Sequence, residues 1–134
     1  MSESQVKVTN LDNGIRVVSD TMNSVESVSL GAWFGIGTRN ESADVNGVAH
    51  LLEHMAFKGT NGRSAAAIAE EVEIVGGHLN AYTSREQTAY YAKLLKDDMS
   101  LGVDILSDIL QNSIFAELEL DRERNVVLAE IGQC

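Results

Sequence analysis

HLNAYTSREQTAYYAKLL, residues 78–95, is rich in Tyr and Thr and alternates apolar with polar side chains, so it is read as one long strand or two joined strands. Helical patterns flank it. Upstream, Gly47 to Lys58 places Val48, Leu51, Leu52 and Met55 at helical spacing. Ser64 can cap a second helix whose stripe is Ala65, Ile68, Ala69, Val72 and Val75, and Gly76-Gly77 stops it. Downstream, Asp97-Asp98 begins a third helix with Ile105, Leu106, Ile109 and Leu110 on one face. Residues 117–131 read as a fourth helix, holding Leu118, Leu120, Val126, Val127 and Leu128, with Gly132 as its C-cap.

Three further β segments precede these. Asn13-Gly14 is a hairpin turn signal, so Gln5–Thr9 and Ile15–Ser19 are expected to be antiparallel strands. Residues 26–38 (ESVSLGAWFGIGT) read as a largely buried strand, with Gly31, Gly35 and Gly37 allowing close backbone approach and Trp33 and Phe34 in the core. Residues 39–46 are polar and loop-like. The order β-β-β-α-α-β-β-α-α favours hairpins over βαβ units. It implies an α+β fold, a mostly antiparallel sheet with helices packed on one face.

Length and charge narrow the function classes. The 134 residues suit one small domain or part of a larger one, with no repeat and no internal linker. Ten Lys+Arg against 20 Asp+Glu give a net charge of −10, which argues against nucleic acid as a partner. The apolar stretches are too short for a membrane span. Cys134, the single cysteine, excludes an intrachain disulfide and a cysteine-rich zinc module and is read as incidental. The start, MSESQVKVTN, shows no signal core and no Arg-rich presequence, which points to an intracellular protein.

The chemistry concentrates in His50-Leu51-Leu52-Glu53-His54. At about 100° per residue, His50, Glu53 and His54 share one helix face. Two histidines one turn apart can reach one metal ion, for which zinc is the default. Glu53 lies beside them, placed to take a proton from a water. Three His and 12 Glu in the chain make a chance occurrence of this pattern about 0.006, so solvated histidines on a polar helix face are the weaker reading. A hydrolytic zinc site needs a third protein ligand. His78, Glu117, Glu119, Glu123 and Glu130 are the candidates, and Glu123 and Glu130, two turns apart, share a helix face. Spacing alone does not choose among them.

The order His-x-x-Glu-His inverts the His-Glu-x-x-His zinc helix and is the inverzincin signature. With its surroundings, GVAHLLEHMAFKGT at 47–60, it resembles the M16 (pitrilysin/insulinase) zinc metallopeptidases, and most of all the mitochondrial processing peptidase beta branch and its bacterial homologues. LDNGIRVV at 11–18, GAWFGIGTRNE at 31–41 and GGHLNAYTSREQT at 76–88 support the resemblance. It implies that His50, His54 and Glu130 ligate one Zn2+ per chain, that Glu53 activates the water, and that Glu123 supports the site. It further implies that Asn80, Ala81, Tyr82 and Thr83 form an edge strand on which an extended peptide pairs.

The resemblance makes residues 1–134 the N-terminal part of an M16 catalytic domain. The expected function is a zinc-dependent endopeptidase acting on peptides, unfolded proteins or targeting sequences. Two other classes compete with it: a non-catalytic subunit that binds peptides, and a fragment that only binds zinc. The expected partners are a peptide substrate and, in the full-length protein, a homo- or heterodimer mate. The expected compartment is the bacterial cytoplasm, with the mitochondrial matrix as the alternative.

Overall fold

Gly14 takes φ +92°, a value that costs a residue without Cβ little. Its N–H donates to the Leu11 carbonyl at 3.0 Å, and Asn13 Oδ1 accepts from the Ile15 N–H at 3.1 Å. This turn joins β1 (Gln5–Asn10) to β2 (Arg16–Thr21). In the computed structural model, which describes residues 5–133, the hairpin is a two-stranded sheet by itself. Val8 faces Val18, yet every residue of both strands is exposed. Cys134 lies outside the described residues, as do residues 1–4.

The central sheet has three antiparallel strands, β3 (Ser27–Phe34), β4 (His78–Thr83) and β5 (Thr88–Leu95), in the order β3-β5-β4. Residues 78–95 are therefore two strands, joined by a turn in which the Ser84 N–H donates to the Gln87 carbonyl at 2.8 Å. The register sets Leu30, Ala92 and Leu79 in one row, and Ala32, Tyr90 and Ala81 in the next. Because side chains alternate along a strand, these rows share one face.

All four helices, α1 (Val48–Ala56), α2 (Ala65–Ile74), α3 (Met99–Gln111) and α4 (Glu117–Gly132), follow from their sequence patterns. Three of them cover that face. Ala56 of α1, Ile68 and Val72 of α2, and Ile105, Leu106 and Ile109 of α3 form the core with Ala81, Tyr90, Ala92 and Leu94. Ser64 caps α2 by accepting from the Ala67 N–H at 3.1 Å. A 3-10 turn, Lys96–Asp98, precedes α3, so the Asp97-Asp98 pair lies just before the helix rather than in it. α4 runs through Gly132, and Gln133 is its cap.

Among the described residues no helix lies against the opposite sheet face, and residues 26–38 are less buried than the reading of their sequence. Trp33 is 60% exposed and Phe34 43%, and no residue of β3 is fully buried. Trp33 alternates onto the uncovered face, opposite Ala89, whereas Phe34 alternates onto the helix face, edge-on to Tyr90 with ring centroids 6.2 Å apart, and remains part-exposed at the strand end. Gly31 and Gly37 meet neighbouring backbone closely enough to exclude a side chain, whereas Gly35 meets open space. α4 buries only Glu123 and Val127, so Leu118, Val126 and Leu128 are surface residues here.

Arg63, in the loop before α2, ties the helices together. It pairs with Glu71 of α2 and with Asp104 and Asp108 of α3, and the hydrogen bonds it donates, first to Asp104 and then to Asp108, hold its guanidinium above its ordinary pKa. Asp108 also accepts from Thr60 Oγ1 at 2.7 Å and from Asn112 Nδ2 at 2.9 Å. Thr60, then Asn112, then Arg63 keep its carboxyl below the usual 3.8 despite its burial. A depressed carboxylate stabilises the fold above its ordinary value, and that contribution is lost as pH falls through the depressed one. Asp108→Asn should therefore cost about 2 kcal/mol near neutral pH. The gap from wild type should close below about pH 3.8 in urea titrations across pH. A gap that stays constant with pH would refute the charge-based account.

Candidate functional site

α1 carries the His-x-x-Glu-His motif, and its start is held in an unusual way. Gly47, at φ +94°, occupies the N-cap position and has no side chain to cap with. Glu41 supplies the missing acceptor, taking the Gly47 N–H on Oε1 at 3.0 Å and the Ala49 N–H on Oε2 at 2.7 Å. A carboxylate at a helix N-terminus also complements the helix dipole. The polar stretch 39–46 therefore anchors the motif helix, although composition marks it only as loop. Met55 and Ala56 bury the other side of α1, which turns His50, Glu53 and His54 toward the partly open side.

α4 crosses that open side. Glu123, Val127 and Glu130 repeat at helical spacing along one stripe facing α1. Glu130 Oε2 lies 3.0 Å from His50 Nε2 and 3.4 Å from His54 Nε2, and the two Nε2 atoms are 3.1 Å apart. His50, His54 and Glu130 form the group able to hold a metal ion among the described residues. A tetrahedral zinc with bonds of about 2.0–2.1 Å has ligand-to-ligand edges of about 3.3 Å. The observed triangle matches that edge, and the donor set is nitrogen and carboxylate, the kind zinc takes. Charge fits as well. Glu53, Glu123 and Glu130 with Lys58 sum to −3 + 1 = −2, with the histidines neutral, and a dication offsets it.

Glu123 stands behind the triangle, 7% exposed. Its Oε2 meets His54 Nδ1 at 2.9 Å, and its Oε1 meets Lys58 Nζ at 2.9 Å. Burial pushes its carboxyl up, but the hydrogen bonds from Lys58 and His54 outweigh burial and hold it below the ordinary carboxylate range. An ionised carboxylate only accepts, so this contact calls for a proton on His54 Nδ1, the arrangement in which a neutral imidazole offers its Nε2 lone pair to the triangle. Glu53 is not a member of the triangle, and Thr83 Oγ1 donates to its Oε2 at 2.6 Å. Tyr90 senses this carboxylate: burial first, then the charge of Glu53, raises its hydroxyl pKa.

β4 is an edge strand, with β5 as its one neighbour in the sheet. Its residues divide by face. Ala81 is buried and Thr83 half-buried on the helix side, whereas Asn80 and Tyr82 are exposed on the other side. Asn80 Oδ1 accepts from the Ala81 N–H at 2.8 Å. Of the other third-ligand candidates, His78 shares the exposed face of β4 with Asn80, Glu119 pairs with Arg122, and Glu117 is exposed at the start of α4. None of the three belongs to the triangle. Three contributors were missed from sequence: Glu41, Lys58, and Thr83 as the partner of Glu53. Only Lys58 had a signal, four residues after His54.

The family model described as Insulinase (Peptidase family M16) matches residues 16–134. A protein named probable mitochondrial-processing peptidase subunit beta, from Arabidopsis thaliana, is 50% identical over 133 residues, covering 99% of this chain and 25% of that protein. The mitochondrial-processing peptidase subunit beta of Rattus norvegicus is 50% identical over 129 residues, covering 96% of this chain and 26% of its own length. The crystal structure of a protease from Helicobacter pylori superposes with a TM-score of 0.89 at 29% identity, covering 96% of this chain and 31% of that one. The chain thus spans about a quarter of the length of the curated relatives it matches.

Glu41→Ala should lower stability by about 1 kcal/mol, the usual cost of losing an N-cap. Thermal unfolding checks it, and an unchanged midpoint would remove Glu41 as the anchor of α1.

Proposed function

Because the chain belongs to the insulinase family, peptidase family M16, we propose that it is the N-terminal part of the catalytic domain of a zinc-dependent endopeptidase. The observation that carries the reading is the His50–His54–Glu130 triangle with Glu53 on the same helix face, separate from the ligands. A purely structural zinc site closes its coordination with protein ligands and has no use for a nearby base. Here three ligands leave one position for water, and Glu53 stands outside the ligand set.

A bound zinc ion makes water more acidic and polarises the scissile carbonyl. In this reading His50, His54 and Glu130 hold that ion. Glu53 takes the proton of the attacking water and passes it to the leaving amine, acting as general base and then general acid. Thr83 fixes the Glu53 carboxylate by donating to one oxygen, which leaves the other for the proton. Glu123 keeps His54 in the tautomer that can ligate.

The substrate class is an extended peptide. Asn80, Ala81, Tyr82 and Thr83 lie on the edge strand that ends beside Glu53, so a peptide added along β4 would bring its carbonyls past the base. The curated relatives carry mitochondrial names and the subunit designation beta, which supports a mitochondrial home over a bacterial cytoplasmic one and a dimeric full-length protein. Substrate, partner and compartment all belong to the proposal.

Cleavage of a fluorogenic peptide by the full-length protein, abolished by a chelator and restored by zinc, is the expected behaviour. Glu53→Gln should retain one zinc per chain and lose at least a hundredfold in kcat, the scale of general-base loss. Loss of the metal in that variant, or unchanged cleavage, contradicts the role of Glu53. Thr83→Val should lower kcat with little change in KM, and Thr83→Ser should restore it. If instead both variants change KM alone, Thr83 serves the peptide rather than the base.

A further inference from the structure

We infer that Lys58 is a positioning residue for the metal centre, acting on His54 through Glu123; the inference rests on the zinc reading above. Lys58 lies in the turn after α1, and its Nζ reaches across to Glu123 Oε1 at 2.9 Å. The other oxygen of the same carboxylate meets His54 Nδ1, also at 2.9 Å. Ammonium, carboxylate and imidazole thus form one chain that ends at the triangle.

The carboxylate needs that second contact. The terminal torsion of a glutamate is broad and has no sharp preferred angle. Nothing within Glu123 itself therefore sets the plane of its carboxylate, and the His54 hydrogen bond defines only one oxygen. Lys58 pins the other and so fixes the plane from which His54 is oriented. Removing its charge also leaves a buried carboxylate oxygen without a partner, an arrangement proteins avoid. Among the described residues Glu123 is the polar partner of His54 Nδ1, so an error in Glu123 passes directly to the direction in which Nε2 points.

Lys58 and Glu123 also join α1 to α4, so the test must separate positioning from plain stability. Zinc affinity would be measured in the full-length protein by competition with a chromogenic chelator. The set is wild type, Lys58→Met, Lys58→Arg, Glu123→Gln and the double variant Lys58→Met/Glu123→Gln. Metal-free thermal unfolding of each reports the structural cost by itself. Lys58→Met should weaken zinc about tenfold, the low end for residues that orient metal ligands. Lys58→Arg should recover most of that loss. In the Glu123→Gln background the lysine change should add almost nothing, because both act through one carboxylate.

Wild-type affinity in Lys58→Met overturns the inference, as does an equal loss with and without Glu123. Lys58→Gln, read the same way, keeps the outcome decisive if Lys58→Met does not fold. A wild-type protein that takes up no zinc overturns the zinc reading itself, and this inference with it.

Discussion

The packing of α4 across the motif face of α1 is the contact on which the candidate site depends. α1 alone offers two imidazoles and a carboxylate on one face, as its spacing requires. It cannot close a metal site. α4 contributes through a narrow stripe: Val127 fills the contact, Glu123 sits buried behind His54, and Glu130 completes the triangle at 3.0 Å and 3.4 Å from the two Nε2 atoms. The rest of α4 is largely exposed and rich in charge, so its place is fixed by these few residues. The hydrophobic core, by contrast, is built from α2, α3 and the sheet, with α1 adding Ala56. The two histidines thus face α4, while Glu53 lies toward the sheet, where Thr83 bonds it.

This division has an electrostatic side. Three carboxylates around two histidines repel one another unless a cation is present, and Lys58 offsets one of the three charges. The arrangement is tolerable at Glu123 because both its oxygens are paired. At Glu53 and Glu130, nearer solvent, water shares the cost. A dication among His50, His54 and Glu130 would offset the remaining two charges. Metal binding and the α1–α4 contact should then reinforce each other.

Much of this was legible in the sequence, for identifiable reasons. Asn13-Gly14 forces a turn through its backbone, so the first hairpin could be read locally. Ser64 announces α2 for the same kind of reason, and the motif on α1 follows from helical periodicity. The placement of Glu130 beside the histidines, rather than His78, Glu117 or Glu119, did not follow from spacing, since tertiary packing that no local pattern encodes brings α4 to α1. Burial was read worst. Trp33 and Phe34 are apolar and were expected in a core, but composition cannot say which sheet face a neighbour covers, as at Trp33, or how far the cover reaches along the strand, as at Phe34. Glu41 was missed because a side-chain cap six residues before the N-cap position has no short-range signature. Thr83 read as an edge-strand residue and proved also to hold Glu53, because its strand position places its side chain on the helix face.

The most direct test of the central claim is X-ray absorption at the zinc edge of the zinc-loaded full-length protein. The account expects a first shell of nitrogen and oxygen only, at about 2.0–2.1 Å, with outer-shell scattering from two imidazoles. Glu130→Gln should disturb that shell while both imidazoles remain. A sulfur shell near 2.3 Å, a six-oxygen shell, or a spectrum lacking the two-imidazole signature would contradict the His50–His54–Glu130 assignment.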